Sequence, residues 1–101
     1  MTKATLIYHF KDYLHENRYV LEQKIYAVDD LKKFPDGVKY SLILVDLKSG
    51  KKVLMDNHHP KSHHVHLGDK EFDYEFINGQ RLIEDFKDFV YQYMGIKLWR
   101  N

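Results

Sequence analysis

The sequence predicts an α+β domain: a single, mostly antiparallel β-sheet of about five strands with one amphipathic C-terminal helix packed on one face. Three observations carry this. Several segments alternate polar and apolar residues, one short segment is apolar on both faces, and the last long segment repeats its apolar residues with a helical period.

Taken in order, "ATLIYHFKDYL" fits a strand through Leu6, Tyr8 and Phe10 and a helix through Leu6, Phe10, Tyr13 and Leu14. The strand is favoured, because "HENR" then makes a turn into the next segment. "RYVLEQKIYAV" sets Val20, Glu22, Lys24 and Tyr26 on one face against Leu21, Gln23, Ile25 and Ala27 on the other, a second strand. "VDDLKKFPDG" is a connector, since Pro35 opposes pairing and Asp36-Gly37 is a turn signal. "VKYSLILVDL" reads as a central strand buried on both sides across Leu42, Ile43, Leu44 and Val45. "KSGK" turns the chain at Gly50, and "KKVLMD" returns as the antiparallel partner. "KEFDYEFI" alternates Phe72, Tyr74 and Phe76 with acids and reads as a short strand. Asn78 then caps a helix whose Leu82, Ile83, Phe86, Phe89, Val90 and Tyr93 form one stripe and which Gly95 ends. The tail "IKLWRN" offers Leu98 and Trp99 for docking, with Trp99 read as packing.

Composition narrows the function classes. A chain of 101 residues is one domain, 1–101, with a modest core. There is no cysteine, which removes disulfides, thiolate metal sites and thiol nucleophiles and fits a reducing cytoplasm, the expected location. A net charge of +1 is not the field of a protein that coats nucleic acid nonspecifically, so anion binding must be local. No apolar run is long enough to span a membrane, and "MTKATLIYHFKDY" does not read as a secretory signal, so no membrane partner is expected.

The local candidate is "DNHHPKSHHVHLGD", Asp56 to Asp69, with five of the seven histidines: His58, His59, His63, His64 and His66. In an extended segment His64 and His66 share a face while His63 and Val65 take the other, and the two same-face Cα atoms stand roughly 6 to 7 Å apart. That spacing lets two imidazoles flank one phosphate or bind one metal ion. His58, His59 and His63, beside Pro60 and Ser62, read as solvated loop residues.

The stretch "KYSLILVDLKSGKKVLMDNHHPKSHHVHLGDKEFDYEF", with the helix "LIEDFKDFV" after it, resembles the TumE family of small bacterial proteins, toxins of type II toxin-antitoxin pairs. The resemblance centres on Asp56-Asn57, Lys61, His64-Val65-His66 and the aromatic residues Phe72, Tyr74 and Phe76. It implies an antitoxin partner. The family pattern commonly places an acid before the His-x-His, where this chain has His63.

On their own chemistry, the residues suit RNA cleavage by the 2′-hydroxyl, which needs a base, an acid and a cation for the phosphorane. His64 and His66 supply acid and base, Lys61 the cation, and Asp56 orients an imidazole, so this route needs no cofactor. Asn57, His58 and Lys52 are the candidate substrate contacts, Lys52 as a phosphate anchor beside Lys48 and Lys51. The metal-dependent alternative uses Asp56, His58, His64 and His66 as ligands of a divalent ion. A noncatalytic protein-binding module is the other alternative, and an unpaired strand edge offers a route to a homodimer.

Overall fold

A computed structural model describes residues 3–98. The Trp99 reading falls outside them. Six strands precede one helix: β1 (Ala4–Leu14), β2 (Tyr19–Val28), β3 (Val38–Asp46), β4 (Lys52–Asp56), β5 (His64–Leu67), β6 (Lys70–Asp73) and α1 (Gly79–Met94). The strands form one antiparallel sheet in chain order, so the α+β expectation holds with one strand more than about five.

The sixth strand has a local cause. Gly68 takes φ 61°, and with Asp69 it makes a two-residue turn that folds the segment after the histidines into a hairpin, β5 with β6. The expected longer strand through Tyr74 and Phe76 is therefore cut short at Asp73. A side chain at Gly68 would also strike the Tyr93 hydroxyl, so helix packing reinforces the choice of glycine.

The two sheet faces differ. Register places Phe10, Gln23, Leu42, Met55, Val65 and Phe72 in one line across all six strands on the face beneath the helix. Leu82, Phe86 and Val90 of α1 are fully buried there, and Phe89 meets Phe72 edge-on at 5.7 Å between ring centres. Every buried hydrophobic residue on the strands belongs to that face, whereas the apolar residues of the opposite face, Val20, Tyr26, Ile43, Val45 and Leu54, are each partly exposed. Among the described residues the core is one layer of helix on one layer of sheet, with Ile96 and Leu98 of the tail and Tyr74 and Phe76 of the segment before α1 packed into it.

Chain ends and turns follow from named side chains. The Asn78 side chain accepts from the Arg81 N–H at 2.8 Å to start α1, and Gly95 at φ 73° ends it by donating to the Tyr91 carbonyl. The β1–β2 turn uses three successive left-handed residues, His15, Glu16 and Asn17. At the β3–β4 turn, buried Asp46 accepts from the Lys48 and Ser49 N–H groups and pairs with Arg18 at 3.1 Å. The Arg18 guanidinium holds the Asp46 carboxyl far below the usual carboxylate range. At the edge of the sheet, β1 leaves Leu6, Ile7, Tyr8, Phe10 and Tyr13 exposed, and its outer side has no partner strand among the described residues.

Candidate functional site

The helix-free face carries the chemistry. Antiparallel register sets Asp56 of β4 directly opposite His64 of β5, and His66 opposite Glu71 of β6. Directly opposed residues share a face, so four groups that could bind a proton or a cation meet at one place. The His64 and His66 rings stand edge to face with centres 4.7 Å apart, as their same-face spacing predicts. Val65 between them points into the core.

His64 fixes the electrostatics. Its ring is buried, and Nδ1 lies 2.9 Å from the Ser62 carbonyl oxygen, which can only accept; Nδ1 therefore carries a proton. In the singly protonated ring, Nε2 then carries a lone pair, and Asp56 Oδ1 stands 2.8 Å from it. That oxygen is itself buried and has no hydrogen-bonded partner. Two acceptors in contact repel each other unless a positive species joins them, as a metal ion held by both would do.

Two further groups surround this pair. The His66 side chain is partly exposed, and the donor atoms of Asp56, His64 and His66 all fall within 4.8 Å of one another. Glu71 Oε2 stands 3.8 Å from His64 Nε2 and 3.9 Å from His66 Nε2. Lys61 reaches over from the preceding loop to bind both Glu71 oxygens, at 3.3 and 3.1 Å. That hydrogen bond holds the Glu71 carboxyl below its ordinary range, so Glu71 is a carboxylate near neutrality.

The expected residues thus separate into three groups. Asp56, His64, His66 and Lys61 are brought together. His58 is not: it lies exposed in the loop and does not join the ligand group found among the described residues, because the loop carries it past the end of β4. Asn57 is also corrected. Its Oδ1 accepts from the Tyr40 N–H at 2.9 Å and its Nδ2 donates to the Val38 carbonyl at 2.7 Å, so this buried amide extends the β3–β4 ladder and is turned to the backbone rather than to the surface where a substrate would lie. Lys52 is exposed on the helix-free face, on the same strand as Asp56 with Leu54 between them.

His63 departs from the solvated reading. It is only 11% exposed, its Nδ1 meets the Tyr40 hydroxyl at 2.8 Å, and its Nε2 meets Asp36 at 2.7 Å. Its ring stacks on Phe76 at 4.9 Å. Burial drives the Tyr40 hydroxyl well above its ordinary range, so this chain of contacts ties the loop to the β2–β3 connector as a neutral tyrosine bond. Glu71 is the site residue that the sequence reading missed. Its signal was the Gly68-Asp69 turn, which fixes Glu71 opposite His66.

Compared with known proteins, the chain matches no family model, no curated protein and no solved structure.

Proposed function

We propose that this chain is the toxin of a bacterial type II toxin-antitoxin pair and that it cleaves RNA at the Asp56, His64 and His66 cluster with a divalent transition metal ion bound there. The carrying observation is the contact between His64 Nε2 and Asp56 Oδ1, two acceptors at 2.8 Å beside a third ligand, His66. Two imidazoles with one carboxylate form a common donor set for zinc, manganese or iron, and the Nδ1–H bond of His64 to a backbone carbonyl is the outer support that such ligands use. When bound, such an ion supplies positive charge to the phosphate and lowers the pKa of a coordinated hydroxyl.

The chain's own groups complete the chemistry. In RNA cleavage the 2′-hydroxyl loses its proton and forms the new bond to phosphorus, while the bond to the 5′-oxygen breaks and that oxygen takes up a proton. Glu71 is the carboxylate that accepts the 2′-hydroxyl proton, and the Lys61 ammonium hydrogen-bonded to it is the group that supplies a proton to the 5′-oxygen. The family resemblance in the histidine stretch supports the toxin part of the reading, and no helix among the described residues is long and apolar enough to cross a membrane.

One observation favours a second, metal-free reading. His66 is the more accessible imidazole and Lys61 is close to it through Glu71, which would leave His66 as acid or base and His64–Asp56 as its support.

The test combines growth, RNA and ion binding. Induced parent protein is expected to arrest growth with loss of RNA, and the His64→Ala, His66→Ala double variant to do neither; a double variant as toxic as the parent overturns the site. Calorimetry with zinc should give about one ion per chain in the parent and at least tenfold weaker binding in the double variant. RNA cleavage by the purified protein that survives chelation selects the metal-free reading. Growth arrest with intact RNA selects titration of a partner by a noncatalytic module.

A further inference from the structure

The cluster occupies one end of a much longer surface. On the helix-free face, two rows of cross-strand partners run the full width of the sheet: His9, Lys24, Ser41, Asp56, His64 and Asp73 in one, and Lys11, Glu22, Ile43, Leu54, His66 and Glu71 in the next. The acids and paired imidazoles lie at the β4–β6 end. Toward β1 the rows carry Lys11 and Lys24, and the adjoining row adds Lys39 beside Tyr26; Lys52, beside Val45, stands on β4 at the cluster end. Ser41, Ile43 and Leu54, all partly exposed, make a nearly uncharged floor between the two ends.

The charge is therefore graded along the face although the whole chain carries only +1: Lys11, Lys24 and Lys39 stand toward β1, and at the other end Asp56, Glu71 and Asp73 outnumber Lys52 and the Glu71-bound Lys61. Glu22, the one acid at the lysine end of the two rows, is already held by His9 at 3.0 Å and Lys24 at 3.7 Å. From His66 on β5 to Lys11 on β1 is four strand spacings, about 19 Å. Aromatic rings stand on both flanks of this path. Tyr13 is half exposed with the Lys11 ammonium 5.8 Å from its ring centre, and Tyr26 is partly exposed on the other side.

We propose that this helix-free face binds single-stranded RNA, laid across the strands from Lys11 and Lys24 to the Asp56, His64 and His66 cluster, with Lys39 and Lys52 as flanking phosphate contacts and Tyr13 and Tyr26 as stacking surfaces. The proposal rests on the reading of the cluster as the cleaving centre, and it adds the substrate's form and path. A single strand fits because its bases are free to stack on tyrosine rings, whereas the bases of an A-form duplex are sequestered in its grooves. The polarity fits as well. Lysines attract the backbone at one end, while the carboxylates at the other repel phosphate until a cation lies among them, so a strand is drawn in from the β1 side and meets the cluster only when the ion is bound.

The test uses the intact protein and a fluorescein-labelled, fully 2′-O-methylated 12-nucleotide RNA, single-stranded or annealed to its complement, which lacks the cleaving nucleophile. The parent loaded with zinc should bind the single strand at least tenfold more tightly than the duplex. The Lys24→Ala, Lys39→Ala double variant should lose at least tenfold in affinity and flatten the logarithmic salt dependence by about 1.4, from two phosphate contacts at roughly 0.7 each. Lys24→Arg with Lys39→Arg should restore binding, and thermal unfolding of each variant checks the fold. Equal affinity for duplex, an alanine variant that binds as the parent does, or no binding of either probe overturns the proposal. The two readings fail separately. A parent that binds the single strand on this face yet leaves unmodified RNA intact keeps the platform and overturns the cleavage reading; a parent that cleaves RNA while the alanine variant binds normally does the reverse.

Discussion

Asn57 lies within the histidine-rich stretch, yet both groups of its amide are committed to the β3 backbone. Asn57→Ala leaves the Tyr40 N–H and the Val38 carbonyl without that partner in a buried site, a cost of about 2 kcal/mol on the usual penalty for unsatisfied groups. Urea unfolding should show a lower midpoint with an unchanged slope, and zinc binding should be retained by the folded fraction. The histidines divide in the same way. His63 is held by Tyr40, Asp36 and Phe76, so His63→Ala should lower the thermal midpoint while leaving the zinc stoichiometry intact; loss of the ion in that variant would move His63 into the ligand set. His64 and His66 were legible from alternation alone, because two residues apart on a strand means the same face. Their carboxylate partners were only half legible. Asp56 stood near them in sequence, but its position opposite His64 and that of Glu71 opposite His66 depend on register, and register is a property of turns rather than of any one residue.

Among the elements, α1 was the clearest in the sequence, with its cap, its stripe and its terminal glycine all marked by residue type. Asn78→Ala should cost about 1 kcal/mol, read from chemical denaturation, by removing the acceptor of the Arg81 N–H. The β5–β6 hairpin was the least clear, since four-residue strands are too short to show a period and the aromatic run Phe72, Tyr74, Phe76 imitated one longer strand. At the β3–β4 turn the sequence showed Gly50 but gave no sign that Asp46 would be buried and paired with Arg18 from the β1–β2 connection. That pairing has a pH signature. The folded Asp46 carboxyl titrates below its unfolded value, so its stabilising contribution is present above the unfolded value and is lost as pH falls through the folded one. Parent stability should keep declining well below about pH 4, and Asp46→Asn should be less stable at neutral pH with a shallower acid decline. Urea midpoints measured from pH 7 downward separate the two curves; parallel curves would assign the turn's stability to its backbone alone.

For the whole molecule, a single helix covers only part of a six-stranded sheet, and the uncovered part is of two kinds. The helix-free face is a mixed, largely polar surface, whereas β1 presents an eleven-residue edge with five large exposed hydrophobic residues. Such an edge is a template for another strand. The free protein should self-associate with increasing concentration, and Ile7→Lys should shift the equilibrium toward monomer in sedimentation while leaving the unfolding midpoint nearly unchanged, because Ile7 is exposed at the β1 bulge. The order of the strands has a consequence of another sort, in time. Each strand pairs with the one just before it in the chain, so every hairpin can close over a short connection and none waits for distant segments to meet. Refolding should therefore be quick for a sheet protein. Asp56, His64, His66 and Glu71 lie on three successive strands, and the cage they form is complete as soon as those local hairpins zip, whether or not β1 has yet been added at the far edge.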